Sequence, residues 1–74
     1  MTKLLAVSGP EAVRALERGG FVHVSTRGSH AKLRHPESGR VAIVPLHRTL
    51  AMGTVTSILR QAGLSAEDFR VLLK

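Results

Sequence analysis

Four consecutive residues, Arg27-Gly28-Ser29-His30, join turn chemistry to acid–base chemistry. Glycine tolerates a positive φ and serine can bond back to the local backbone, so a Gly-Ser pair makes a tight turn that pins the residue after it. Here that residue is His30. An imidazole ordinarily titrates near ~6.5, so it can take or give a proton at neutral pH, which a lysine or a carboxylate does only after a large shift. Lys32 and Arg34 recur with His30 at every second residue, the spacing of one face of a strand. Together with Arg27 they form a cationic row able to hold an anion such as a phosphate beside the imidazole. Farther on, Pro45-Leu46-His47 supplies another histidine, readable as a site residue or as one that bonds the backbone where a strand stops. His23 and His35 read as ordinary strand residues. Four histidines with no cysteine and no paired carboxylate at ligand spacing point away from a metal site.

The elements that must position these residues are legible in order. After a short apolar lead at residues 3–7, Ser8-Gly9-Pro10-Glu11 is a helix start: Ser8 caps, Glu11 answers it three residues on, and Pro10 fits a turn that needs no amide donor. This helix runs to about Arg18, with Val13 and Leu16, flanked by Ala12 and Ala15, as its apolar stripe, and Gly19-Gly20 ends it as a left-handed cap. Residues 21–26 and 30–35 read as strands joined by the Arg27-Gly28-Ser29 turn. A two-residue turn at either Arg27-Gly28 or Gly28-Ser29 sends Val22 and Val24 into the core with Ala31 and Leu33, and sets His30 opposite Ser25 or Arg27.

Pro36-Glu37-Ser38-Gly39 is a hairpin loop, and residues 40–44 form a third strand ended by Pro45. With four residues in that loop, Ala42 and Val44 face the core, while Val41 and Ile43 sit beside Arg34 and Lys32 as an apolar pair on the polar face. Residues 46–53 are a connector. Thr54 opens a helix whose Val55, Ile58, Leu59 and Ala62 follow the i, i+3, i+4, i+7 pattern, Gly63 closes it, and Thr56, Arg60 and Gln61 lie on its outer side, open to a partner. Ser65-Ala66-Glu67-Asp68 starts a last short helix that docks Phe69, Leu72 and Leu73 on the core.

Composition narrows the partner. A chain of 74 residues is expected to be a single domain with one thin core. The absence of cysteine leaves no disulfide framework and makes a reducing cytoplasm the expected compartment. No apolar run approaches the ~20 residues that span a bilayer, and the patch at residues 4–7 is shorter than a signal-peptide core, so no membrane role is expected. Eleven Lys and Arg against five Asp and Glu give a formal charge of +6, spread from Lys3 to Lys74, with a pI near 11.5. Such a field concentrates polyanions at the surface, which favours a nucleic acid or an acidic protein as partner. Phe21 and Phe69 are the only aromatic rings of the Phe, Tyr and Trp type, so base stacking on an exposed aromatic platform is not expected.

A helix, a three-stranded antiparallel meander and further helices packed on one face make an α+β chain with the α-β-β-β-α layout of a double-stranded-RNA-binding-type (dsRBD-like) fold, its other sheet face open. Ser8-Gly9, Leu16-Glu17, Gly20-Phe21, Arg27-Gly28-Ser29-His30, Val44-Pro45-Leu46-His47, the run from Gly53-Thr54 through Ser57-Ile58-Leu59-Arg60-Gln61-Ala62-Gly63 to Ser65, and Asp68-Phe69 stand in an order that resembles the HicA toxins of toxin–antitoxin pairs. The resemblance covers nearly the whole chain. It implies a ribosome-independent mRNA interferase, silenced by a HicB-type antitoxin covering the active site, with His30 of the Gly-Ser-His motif as the catalytic histidine; separately, because RNA carries its own nucleophile, no metal or other cofactor is expected. Where many relatives carry a second histidine or an aromatic residue after that position, this chain has Ala31-Lys32-Leu33.

RNA carries its own nucleophile in the 2′-hydroxyl, so a protein that cleaves it need only move protons and neutralise the phosphate. His30 is the expected general base or acid, and Arg27, Gly28, Ser29, Lys32, Arg34 and His47 are the expected substrate-binding residues, with Ser29, Lys32, His47 or water as the partner acid. The alternative function is a non-catalytic basic module that binds RNA or DNA through its backbone, and a third is a domain that binds only an acidic protein.

Overall fold

The computed structural model of the chain describes residues 7–74, so all of the apolar lead except Val7 lies outside the described residues. Helix α1 (Gly9–Arg18) begins at the capping box written in its sequence. The Glu11 N–H donates to Ser8 Oγ at 3.1 Å and the Ser8 N–H donates to Glu11 Oε1 at 2.9 Å, so two amides of the first turn are satisfied reciprocally. At the other end it is the second glycine that takes the left-handed conformation, Gly20 at φ +98°. The Gly20 N–H donates to the Glu17 carbonyl and the Phe21 N–H to the Leu16 carbonyl, and Phe21 and Leu16 are both buried. These two hydrogen bonds and the apolar clasp turn the chain sharply from helix into sheet. Ala12, Ala15 and Leu16 are the buried stripe, whereas Val13, expected in it, is only half-buried. Alanines let the helix lie close on the sheet.

Strands β1 (Val22–Arg27), β2 (His30–Arg34) and β3 (Val41–Pro45) form an antiparallel sheet in that order. The β2–β3 register is the one a four-residue loop dictates: Ala31 opposite Val44, Lys32 opposite Ile43, Leu33 opposite Ala42 and Arg34 opposite Val41. Ala31, Leu33, Ala42 and Val44 are all buried. The β1–β2 pairing corrects one expectation. Arg27 sits opposite His30 and Ser25 opposite Lys32, but His23 then pairs with Leu33 and Val22 with Arg34, so Val24 is the extra residue of a β-bulge. One added residue reverses the faces beyond it. Val22 and Val24 are therefore 54% and 53% exposed rather than in the core, and Phe21, just before the strand, supplies the buried side chain there. The bulge also breaks the regularity of a strand whose outer edge is unpaired in this sheet.

Helix α2 (Met52–Ala62) starts two residues before the expected Thr54, on Ala51, which gives no side-chain cap. Its buried positions are Val55, Ile58, Leu59 and Ala62, and Gly63 ends it in the left-handed conformation at φ +72°. Gln61, expected on the outer side of this helix, is half-buried and turned to the sheet, where its Oε1 accepts the Ile43 N–H at 2.8 Å. Helix α3 (Ala66–Leu72) is capped by Ser65 and buries Phe69 completely. Arg18 at the end of α1 donates to the Leu72 carbonyl at 2.7 Å, tying the last turn of α3 to the first helix. The architecture is thus α-β-β-β-α-α, with one core between the helices and the inner sheet face.

Two histidines serve this framework. His35, just past β2, sets its ring edge-on to Phe21 at 5.1 Å, and its Nδ1 accepts from the Glu37 and Ser38 amides at 3.3 and 3.4 Å, holding the loop. His23 Nε2 bonds Thr26 Oγ1 at 2.7 Å across the bulge.

Replacing the α1 cap, Ser8→Ala, is expected to lower unfolding free energy by about 1 kcal/mol in denaturant titration. The Ser8 backbone N–H, and after it the Ser8 hydroxyl, hold the Glu11 carboxyl below its ordinary 4.5. The folded value is the lower one, so the stability this group contributes is complete above about pH 4.5 and is lost as pH falls through the folded value. The stability gap between wild type and Glu11→Gln should therefore be present at neutral pH and close in acid.

Candidate active site

The Gly28-Ser29 turn, with Gly28 at φ +55°, delivers His30 to the outer face of the sheet between Arg27 on β1 and Pro45 on β3. The Ser29 carbonyl accepts the Leu46 N–H at 2.6 Å, so the turn is bound to the segment that leaves β3. Two residues past Pro45 the chain returns to the same face, and the His47 ring comes edge-on to His30, with centroids 6.3 Å apart and planes at 71°. His47 is placed from the other side by α1. Its carbonyl accepts the Gly9 N–H at 2.8 Å. At Gly9 the helix and the strand end touch backbone to backbone: a Cβ there would run into the Pro45 carbonyl oxygen and come within 2.6 Å of Leu46 Cα.

Gly9 is the position that sequence reasoning passed over. It was legible only as part of a helix start. A glycine in a helical turn costs about 1 kcal/mol relative to alanine, and at Gly9, whose φ is not positive, it is the close approach of Pro45 and Leu46 that leaves no room for a side chain.

The outer face consists of three cross-strand rows: Arg27–His30–Pro45, Ser25–Lys32–Ile43 and Val22–Arg34–Val41. Along β2 this sets His30, Lys32 and Arg34 at steps of roughly 6.6 Å. A groove of about 430 Å³ is lined by Ser25, Arg27, His30, Lys32 and Ile43, with no carboxylate in its wall. Among the described residues, Arg27, Lys32 and Arg34 make no ion pair and no side-chain hydrogen bond; the ion pair present joins Arg70 to Glu67 on α3. The cationic row is therefore uncompensated, and its charge is available to an anion.

Of the residues singled out in the sequence, His30, Arg27 and Lys32 meet in the groove and Arg34 stands one row beyond it. Gly28 and Ser29 shape the turn rather than the wall, with Ser29 acting through its carbonyl. His47 lies outside the groove lining and against His30. All seven are exposed. A second hollow of about 350 Å³ runs between α1 and β1, lined in part by Val13, Arg14, Glu17 and Leu46, and mixes both signs of charge with apolar surface. Among the described residues no three of His, Cys, Asp and Glu lie close enough together to hold a metal ion.

Compared with protein families, residues 9–64, well over half of the chain, match the family described as the HicA toxin of bacterial toxin–antitoxin systems. No curated protein matches the chain.

Gly9→Ala tests the backbone contact. The added methyl must displace Pro45 and Leu46, an overpacking that typically costs about 1–3 kcal/mol and outweighs the better helix propensity of alanine. The variant is expected to unfold at lower denaturant than wild type; equal or greater stability would show that the approach is loose.

Proposed function

The chain belongs to the HicA toxins of bacterial toxin–antitoxin systems, and from that premise we propose that it is an endoribonuclease that cleaves mRNA independently of the ribosome, with His30 moving the proton. The observation that carries this is the placement of His30 in a groove walled by Arg27 and Lys32, cations with no partner among the described residues. The RNA supplies the 2′-hydroxyl as nucleophile, so no metal-bound water is needed. The protein contributes a proton acceptor or donor and positive charge where the phosphate becomes more negative. Arg27 and Lys32 hold the scissile phosphate, and Arg34 a neighbouring one along the same strand.

Phe21 and Phe69 are both buried, which leaves RNA to be gripped through its backbone rather than by stacking. Of the three residues after His30, Ala31 and Leu33 point into the core, so Lys32 alone reaches the groove. The difference from relatives at this stretch therefore bears on substrate preference more than on proton transfer. As a toxin of such a pair the chain has an antitoxin for a partner, and we assign a HicB-type protein to this same outer face. Val22, Val24 and Ile43, exposed among the cations, offer a protein apolar surface that RNA has little use for. Among the described residues no helix is long and apolar enough to cross a membrane, and the proposed place of action is the cytoplasm, where mRNA is found.

Cleavage of a long mRNA in EDTA by wild type and by His30→Ala, both shown folded by circular dichroism, is the direct test. The variant is expected to lose ~10²- to 10⁴-fold in rate while keeping its RNA affinity. Binding without cleavage by either protein would favour a non-catalytic basic module instead. Lys32→Ala and Arg34→Ala should each weaken binding across sequences and reduce the salt slope of log K by about 1.

A further inference from the structure

Resting on the nuclease reading, we propose that His47 is the second proton-transfer residue of this site, serving whichever of the attacking 2′-oxygen and the leaving 5′-oxygen His30 does not serve. The four histidines fall into two kinds. The rings of His23 and His35 are hydrogen-bonded within the protein, to Thr26 and to the loop amides of Glu37 and Ser38. The rings of His30 and His47 have no hydrogen bond among the described residues, are exposed, and face each other. At His47 it is the carbonyl that is anchored, by Gly9, and the side chain that is left free.

The chemistry needs two proton transfers. The 2′-oxygen bonds to phosphorus and loses its proton, while the bond from phosphorus to the 5′-oxygen breaks and that oxygen gains one. In an in-line displacement these oxygens lie on opposite sides of phosphorus, so one imidazole would have to cross from one to the other. The two rings, inclined rather than stacked with centroids 6.3 Å apart, stand side by side where His30 enters the groove, so a scissile bond lying across them can present its 2′-oxygen to one and its 5′-oxygen to the other. One ring takes the 2′-hydroxyl proton as the other, protonated, gives its own to the 5′-oxygen. The products are a 2′,3′-cyclic phosphate and a 5′-hydroxyl end, no net proton is consumed, and the rings re-equilibrate with water before the next turnover. Arg27 on β1 stands opposite His30 and Lys32 on β2 shares its groove, and Arg48 follows His47 in the chain. On α1, Glu11 is engaged by Ser8. Lys32 is better suited to holding the phosphate, since a lysine gives up its proton near neutrality only after a large shift.

The test compares wild type, His30→Ala and His47→Gln on an RNA oligonucleotide containing a bond the wild type cuts, and on the same oligonucleotide with sulfur replacing the bridging 5′-oxygen. A thiolate leaves without being protonated. Wild type is expected to show a bell-shaped dependence of rate on pH. His47→Gln should cut all-oxygen RNA ~10²- to 10⁴-fold more slowly, with one limb of the bell gone and with RNA affinity and circular dichroism unchanged. The sulfur substrate should restore one of the two histidine variants and not the other, which identifies the acid. A wild-type rate in His47→Gln, or a slower rate with both limbs retained there and in His47→Asn, overturns the role of His47 alone. Absence of cleavage by the wild type overturns the nuclease reading, and this inference with it.

Discussion

A helix start and a strand end meet at Gly9 with no side chain between them, and the geometry of the outer face depends on that contact. The Gly9 amide, one of the donors that a helix leaves unpaired in its first turn, is given to the His47 carbonyl rather than to water. The next bond along, from the Leu46 amide to the Ser29 carbonyl, ties the same short segment to the β1–β2 turn. Residues 45–47 are thereby held from both sides. Backbone bonds help bring the two histidines together, and neither ring is hydrogen-bonded among the described residues in doing it.

The sheet divides its labour by face. On β2 the inward residues Ala31 and Leu33 are apolar and the outward ones His30, Lys32 and Arg34 are basic, so one strand contributes both to the core and to the candidate site. Building a site on a central strand gives it a rigid base, because moving His30 would require moving Ala31 against α1 and Leu33 in the core. Leaving three cations unpaired on such a small body carries an electrostatic penalty from self-repulsion. A polyanion, or the antitoxin proposed for that face, would relieve it, and either would stabilise the folded chain by mass action on binding.

Much of the fold was legible in the residues themselves, because the signals concerned are local. The Ser8–Glu11 capping box, the Gly63 stop, the spacing of Val55, Ile58, Leu59 and Ala62, and the alternation of β2 each involve residues within a turn or two of one another. The four-residue loop at 36–39 set the β2–β3 register with them. The β1–β2 register was not legible. A bulge at Val24 is a choice of pairing between two strands, and either face assignment of Val22 and Val24 agrees with their composition. Burying Phe21 against Leu16 through the glycine cap and engaging His23 with Thr26 accompany the shifted register, and both are contacts made after the strands have met.

The candidate site divides in the same way. That His30 comes after a tight turn and shares a strand face with Lys32 and Arg34 follows from the residues alone, because a period of two is a property of extended backbone. So does the net positive field, which is a sum and needs no geometry. Packing in three dimensions is what sets Arg27 rather than Ser25 opposite His30, brings the His47 ring centroid to 6.3 Å from that of His30, and binds the His47 carbonyl to Gly9. His47 is separated from His30 by a whole strand and loop, and from Gly9 by the entire sheet. Distances of that kind depend on how elements pack, which no local preference of the chain encodes.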